Sequence, residues 1–221
     1  MGRIVDINDV EKISDGRRYS SESMVRLGCD GSKCQSYCCT HMCDTIILDP
    51  YDVYSLEKGL QITFEDLLMG ALELNVVNGL ILPNIKPQPS TGGCGYLDEK
   101  GLCTIHDFRP GFCRLFPLAR VYDDNEIYYI NQIHECPYDE GIKVKVKKWI
   151  GTENFASYEK YINEYHKLKR HFEDMIAKES DDSVIKTLCM KFLNTLFVMP
   201  YDTDGDFYSQ FMARKEILIN G

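Results

Sequence analysis

The cysteines constrain this chain more than any other feature of its sequence. There are ten, and nine of them lie between Cys29 and Cys136. A single cysteine such as Cys189 can serve as a small buried apolar residue, but four within eleven residues cannot all do so. The first group comprises Cys29, Cys34, Cys38, Cys39 and Cys43, and the second comprises Cys94, Cys103 and Cys113, with Cys136 following before Pro137.

The start of the sequence favours a reducing compartment. Residues 1–18 are rich in charge and contain no apolar run of signal-peptide length, so we expect a cytoplasmic protein. The longest apolar stretches, residues 76–82 and 192–200, are too short to span a bilayer, and no membrane partner is expected. Because disulfides do not persist in a reducing cytosol, clustered cysteines there are more typical of metal ligands or redox centres.

The composition indicates one globular domain, or one domain with a helical extension. The chain has 221 residues, of which 44% are hydrophobic. Its net charge of -9 provides no basic face for phosphates, so no nucleic acid partner is expected. We predict a cysteine-cluster metal-binding domain over residues 1–140 and a C-terminal helical region, residues 141–221, that packs on it.

Local signals predict an α+β fold, with short helices and β-hairpins in the cysteine-rich part and α-helices after it. Asp49 is placed to cap a helix over residues 51–58, with Pro50 in its first turn and Gly59 as its stop. The pattern of residues 63–66 resembles the capping box of a second helix. The other predicted elements are an irregular arm over 1–28, a short strand over 44–48, hairpins at 78–79 and around 123–125, helical structure from 142 onward, and helices over about 152–177, 181–197 and 204–218.

Thiolates are soft, charged donors that suit zinc, copper(I) and iron–sulfur clusters, and four of them complete a tetrahedral metal or a cubane. Eight cysteines could therefore serve two centres. Cys38 and Cys39 are adjacent, and neighbouring side chains diverge by about 100° in a helix and about 180° in a strand. We therefore hypothesise that this pair is divided between two sites, or that one of the two thiols does not ligate.

The segment CDGSKCQSYCCT, followed by CGYLDEKGLCTIHDFRPGFCRLFPL and then ECP, resembles the YkgJ-like cysteine-cluster family. That family is also described as the CxxCxxCC zinc- or iron-chelating domain, and the resemblance covers about residues 27–138. The sequence departs from the family pattern in its wider first spacings, in His106 where the family often has tyrosine, and in the extra Cys43. The matching positions are Cys29, Cys34, Cys38, Cys39, Cys94, Tyr96, Leu97, Cys103, Ile105, Arg109, Pro110, Cys113, Arg114, Pro117 and Cys136.

The resemblance implies a metal centre that holds zinc or an iron–sulfur cluster. The eight matching cysteines are the expected metal ligands, and Arg109 and Arg114 are expected to lie beside the cofactor. The alternative for Arg109 is a surface turn in which it pairs with Asp107 or Glu99. A related cysteine pattern occurs in flagellin lysine N-methylases, so an enzyme that modifies proteins stays a possible function, with no catalytic residue assigned.

The spacing of the cysteines favours iron over zinc. A structural zinc site commonly takes its ligands from tight CxxC pairs, and this chain has none. Iron–sulfur clusters tolerate more varied spacings, and Cys136-Pro137 is similar to the end of a ferredoxin run. We therefore expect an iron–sulfur cluster of the 4Fe–4S type, or iron, with zinc as the alternative. A redox protein, a modifying enzyme and a zinc-stabilised interaction module all stay open, and the protein partner or substrate is unknown.

Other residues give weaker signals. His41, His106 and His134 lie near the cysteines and could replace a thiolate, although surface histidines are the favoured interpretation. The basic run KVKVKKW is expected to form a solvated face. Four aromatic residues at helical spacing are expected to face the core: Tyr158, Tyr161, Tyr165 and Phe172.

Overall fold

The computed structural model describes residues 12–29, 36–41, 45–123, 126–133, 135–136 and 141–220. The predictions for Cys34, Cys43, His134 and Pro137 therefore lie outside the described residues. The strands are β1 Met24–Leu27, β2 Leu72–Val77, β3 Leu80–Ile85, β4 Leu118–Asp123, β5 Glu126–Asn131 and β6 Ile142–Lys145. The helices are α1 Tyr37–His41, α2 Pro50–Leu60, α3 Phe64–Gly70, α4 Gly111–Leu115, α5 Val146–Ile150, α6 Phe155–Lys178, α7 Asp182–Leu193 and α8 Phe207–Asn220.

The predicted α+β class is confirmed. The strands form three antiparallel pairs: β2 with β3, β4 with β5, and β1 with β6. The hairpin expected at residues 78–79 is the β2–β3 turn, in which Asn78 and Gly79 both have positive φ. The second expected hairpin joins β4 and β5, although residues 124–125 of its turn lie outside the described part of the chain.

The capping box predicted at residues 63–66 is present, and the predicted N-cap Asp49 forms a capping box as well. The Asp49 side chain accepts from the Asp52 N–H, the Asp52 side chain accepts from the Asp49 N–H, and Pro50 stands in the first turn of α2. Thr63 and Asp66 make the same reciprocal contacts at the start of α3. Because a cap satisfies backbone donors of its own helix, the local sequence is sufficient to predict where these helices begin.

The prediction that Gly59 stops helix α2 is wrong. The helix continues to Leu60 and ends at Gln61, which has a left-handed φ of 57°. Gly59 is instead a close-contact residue, because a Cβ built on it would lie 2.4 Å from a ring carbon of Phe108. Phe108 belongs to the turn His106–Phe108, between Cys103 and Cys113, so Gly59 allows that cysteine-bearing segment to pack against α2.

Replacing Gly59 with alanine is expected to lower the free energy of unfolding by about 1–3 kcal/mol, because the added methyl group overlaps the Phe108 ring. Gly70, also helical, is the matched control, since a Cβ there meets nothing within 4 Å. Gly70→Ala should therefore be neutral, or stabilising by about 0.5–1 kcal/mol. Urea unfolding of both variants measures the difference. Equal midpoints for the two variants would show that Phe108 does not pack on Gly59.

Two predictions fail at the β1–β6 sheet. Residues 24–27 were expected in an irregular arm and residue 142 at the start of helical structure, but Met24 pairs with Lys145 and Leu27 with Ile142. Helical structure begins only at Val146. The two strands are more than one hundred residues apart in sequence, so neither has a local signal for its partner. The expected strand over 44–48 is a single bridge, in which Ile47 pairs with Asn84 beside β3.

The three expected C-terminal helices are present, and a polar side chain caps each of them. Asn154 caps α6, Asp181 caps α7, and Asp206 accepts from the Ser209 N–H at the start of α8. Helix α7 ends at Leu193 and is followed by one π-helical turn, Asn194–Val198. The predicted aromatic stripe of α6 is buried, as expected, in a hydrophobic core that runs from Tyr19 to Leu218. Within the described residues, no helix combines the length and the apolar character that crossing a membrane requires.

Candidate metal centre

Helix α1 brings two of the expected ligands side by side. The sulfur atoms of Cys38 and Cys39 are 3.8 Å apart. The helix begins after Ser36, whose positive φ of 51° turns the chain and whose carbonyl accepts from the N–H groups of Cys39 and Thr40. Both cysteines are partly buried, so each is covered in part by the rest of the protein.

Hydrogen bonds to backbone carbonyls connect the segment of the first cysteine group to the segment of the second. The Cys94 N–H donates to the Cys39 carbonyl over 2.8 Å, and the Ser36 hydroxyl donates to the Gly101 carbonyl. Gly93 adjoins this contact, because a Cβ built on it would lie at van der Waals distance, 3.5 Å, from the Cys39 carbonyl oxygen. Helix α1 is therefore anchored directly beside Cys94.

A tight loop brings Cys103 back toward Cys94. Leu97 and Cys103 form an antiparallel bridge, and the Asp98 carboxylate accepts from the N–H groups of Lys100 and Leu102. The Thr104 N–H closes the loop by donating to the Tyr96 carbonyl over 2.8 Å. These bonds satisfy the loop backbone without a regular sheet, which is why the sequence shows no strand pattern here.

Helix α4 carries Cys113, and Arg114 supports the turn before it. The Arg114 guanidinium donates to the carbonyls of Arg109 and Asp107, at 2.8 and 2.7 Å. Arg114 thus fixes the backbone of the turn that leads into α4. The prediction that Arg114 also lies against the cofactor stays a prediction.

The thiols of Cys38, Cys39, Cys94, Cys103 and Cys113 influence one another electrostatically. Contact with Cys38 raises the pKa of Cys39, and burial together with the charges of Cys113 and Cys94 raises it further. Burial raises the pKa of Cys113, and so do the charges of Cys38 and Cys94. Burial likewise raises the pKa of Cys103, with a contribution from Cys94. Crowded thiolates of this kind are stabilised by a cation placed among them.

Arg109 supplies positive charge to this group. The contact with Cys39 and, to a smaller extent, the charge of Arg109 lower the pKa of Cys38 to about 7. The same arginine opposes the rise in pKa at Cys103 and Cys113. Its guanidinium lies 2.7 Å from the His106 ring, and no ion pair with Asp107 or Glu99 is present within the described residues. The position of Arg109 therefore agrees better with a role beside the thiols than with a surface ion pair.

A separate cavity is lined by three cysteines, two of which, Cys29 and Cys136, are outside the thiols described above. The wall of this cavity is otherwise apolar, and the Trp149 indole in it is fixed by donating to the carbonyls of Leu115 and Phe116, both at 3.2 Å. Cys38 lines this cavity and also lies close enough to Cys103 and Cys113 to raise their pKa values. The lining residues are Gly28, Cys29, Tyr37, Cys38, Phe116, Pro117, Cys136 and Trp149.

The sequence did not reveal this cavity. Trp149 is the only tryptophan of the chain, but it follows the basic run and carries no motif that links it to the cysteines. The pairing of β1 with β6 joins the segment that precedes Cys29 to the segment that precedes Trp149, and both residues line the cavity. Tyr37 adjoins Cys38 in sequence, and that adjacency is the one local signal that could have identified a wall residue.

The thiol groups are ligands that suit a thiophilic metal, although the side chains do not converge on one position for an ion. Among the described residues, no three His, Cys, Asp or Glu side chains could hold one ion as they stand. The thiols of Cys38, Cys39, Cys94, Cys103 and Cys113 nevertheless lie near enough to perturb one another. The contact with Cys38 raises the pKa of Cys39, burial raises the pKa values of Cys103 and Cys113, and like charges, which a cation would offset, add to all three. Thiolate sulfur is the ligand that zinc and iron–sulfur clusters favour.

Residues 28–137 match a family model, CxxCxxCC, whose description reads "Putative zinc- or iron-chelating domain". The matched range begins one residue before Cys29 and ends one residue after Cys136, so it contains all eight predicted ligands. No curated protein and no solved structure matches the chain significantly. The family match supports metal binding and leaves the choice between zinc and iron open.

Proposed function

We propose, from the premise that this chain belongs to the CxxCxxCC family of zinc- or iron-chelating domains, that its thiolates hold two iron or iron–sulfur centres. The observation that carries this proposal is the division of the thiols around the adjacent pair Cys38 and Cys39. Cys38 lines the cavity together with Cys29 and Cys136, whereas Cys39 is not among the residues that line it; the charges of Cys113 and Cys94 contribute to the raised pKa of Cys39.

The first proposed centre uses four thiols that the structure describes. Cys39 comes from helix α1, Cys94 and Cys103 from the two ends of one loop, and Cys113 from helix α4. The charges of Cys113 and Cys94 contribute to the raised pKa of Cys39, and the charge of Cys94 contributes to the raised pKa values of Cys103 and Cys113, which supports the grouping. Four thiolates are the ligand number of a cubane cluster or of a tetrahedral metal. Arg109 offsets part of the negative charge that four thiolates bring together.

The second proposed centre uses Cys29, Cys38 and Cys136, with Cys34 as the fourth ligand on the basis of the family pattern alone. The three described cysteines line one cavity. Its walls of Tyr37 and Trp149 would limit the access of water to a metal bound there. Cys38 is also close enough to Cys103 and Cys113 to raise their pKa values, so the two centres would be near neighbours.

The spacing of the ligands favours iron over zinc. A bound iron–sulfur cluster would supply electron transfer. The chain has no CxxC pair of the kind that structural zinc sites commonly use. The net charge of -9 disfavours nucleic acid, so we expect a protein partner or substrate.

Anaerobic purification followed by an absorption spectrum and counts of iron, zinc and acid-labile sulfide tests this function. We expect a brown protein with about four iron and four sulfide for each 4Fe–4S centre. Reduction and reoxidation monitored at the same wavelengths would then measure whether the centre is redox-active. A colourless protein with zinc alone would replace the iron proposal with the structural zinc alternative, and a protein without metal would refute both.

A further inference from the structure

Two acidic residues of helix α2 lie at the junction between the cysteine-bearing segments and the C-terminal helices. Asp52 is only 3% exposed. Its Oδ2 accepts from the Asp49 N–H, and its own N–H donates to Asp49 Oδ1, both at 3.0 Å. This reciprocal pair is the capping box of α2, and a capping box uses one oxygen of the second carboxylate. The other oxygen of Asp52 is therefore available to a different partner.

That partner is the helix that carries a predicted metal ligand. Asp52 Oδ1 accepts from the Gly111 N–H over 2.6 Å, in a buried hydrogen bond between residues 59 positions apart. Gly111 is the first residue of α4, and Cys113 follows two positions later. One carboxylate thus satisfies a backbone donor at the start of α2 and another at the start of α4.

The space around this bond is closely filled. A Cβ at Gly111 would lie 3.0 Å from the Tyr158 hydroxyl and 3.4 Å from Asp52 Oδ1. The Tyr161 hydroxyl donates to Asp49 Oδ1 over 3.0 Å, which ties the capping box to helix α6. Burial, followed by the charge of Asp49, raises the pKa of Asp52 well above its usual value. These contacts hold the Asp52 carboxylate in one place and leave α4 little freedom to shift.

We propose that Asp52 is a positioning residue for Cys113: its carboxylate sets the orientation of α4 and so holds the Cys113 thiol where the first metal centre needs it. This inference rests on the proposed function, because it assumes that Cys113 is a ligand. Asp52 itself does not contact the metal. Residues that orient ligands in this way typically contribute about 10- to 100-fold to metal affinity.

The test compares Asp52→Ala with Asp66→Ala. Asp66 is the matched control, because it holds the same position in the capping box of α3, is exposed, and bonds only within its own helix start. We expect Asp52→Ala to weaken the first centre by about 10- to 100-fold in a competition with a chelator. Asp66→Ala should keep the affinity of the unmodified protein. Both affinities are measured on the full chain with the metal found in the purified protein.

A cobalt(II) spectrum separates positioning from general loss of stability. The sulfur-to-cobalt charge-transfer band reports how many thiolates bind the ion. At saturating cobalt, Asp52→Ala should show the reduced band of Cys113→Ser, and the double variant should show no further reduction, because both changes remove the same ligand. Asp52→Asn keeps an oxygen for the Gly111 N–H but places an amide N–H against the Asp49 N–H, so its affinity should lie between the alanine variant and the unmodified protein.

The outcomes are distinguishable. If the unmodified protein binds no metal, the proposed function fails. If it binds metal and Asp52→Ala has the affinity and cobalt spectrum of Asp66→Ala, the positioning role is refuted. If Asp52→Ala does not fold, Asp52→Asn decides in its place: an affinity equal to that of Asp66→Asn would refute the role.

Discussion

Replacing Cys113 with serine is expected to remove about half of the bound metal and to lower the free energy of unfolding by several kcal/mol. Cys113 is assigned to the first proposed centre; burial raises its pKa, and so do the charges of the neighbouring Cys38 and of Cys94, a member of the same proposed centre. The loss is large because the free energy of binding in a thiolate site contributes directly to the free energy of folding. Metal counts per chain and thermal unfolding of the purified variant measure both effects.

Cys189→Ser is the control for this experiment. Cys189 is also buried, at 4% exposure, but it lies on helix α7 and donates to the Gly79 carbonyl. A serine hydroxyl can make the same hydrogen bond, so metal content should not change. If Cys113→Ser keeps the full metal content and melting temperature, Cys113 is not a ligand.

Serine replacements of Cys38 and Cys39 are expected to remove different metal centres, although the two residues are adjacent. Cys38 lines the cavity with Cys29 and Cys136, whereas Cys39 is coupled to Cys94 and Cys113. Each single variant should therefore keep about half of the metal, on the assumption that each centre is completed by four thiolates. The metal count and the absorption spectrum of each variant measure this division.

Double variants make the assignment sharper. Cys39→Ser combined with Cys113→Ser should lose no more metal than either change alone, because both thiols belong to the first centre. Cys38→Ser combined with Cys113→Ser should lose nearly all of it. Equal loss of every metal atom from both single variants would contradict the division and would favour one shared centre.

The division of the chain into a cysteine-cluster domain over residues 1–140 and a helical region over residues 141–221 stays a prediction. The hydrophobic core contains side chains from both ranges, and strand β6 of the second range pairs with β1 of the first. We propose that the division separates roles, with ligands in the first range and packing support in the second.

The sequence was sufficient to predict which cysteines form the candidate site. Both arguments for them, the chemistry of thiolates and the family pattern, depend only on residue types and their order in the chain. The hypothesis that Cys38 and Cys39 are split between two sites, or that one of them does not ligate, followed from the angle between neighbouring side chains and stays a prediction. What could not be predicted was which other groups surround the thiols. Trp149 and Asp52 reach the site from segments that show no metal-binding signal.

The sequence by itself determined the features that depend on a few neighbouring residues: the capping boxes at Asp49 and Thr63, the hairpin at Asn78, and the buried stripe of α6. Only the tertiary structure decided the β1–β6 pairing, the continuation of α2 through Gly59, and the bond from Asp52 to Gly111. The physical reason is the range of the interaction. A cap or a turn is stabilised within its own residues, whereas a strand pair, a close packing contact and a shared carboxylate need partners from distant parts of the chain.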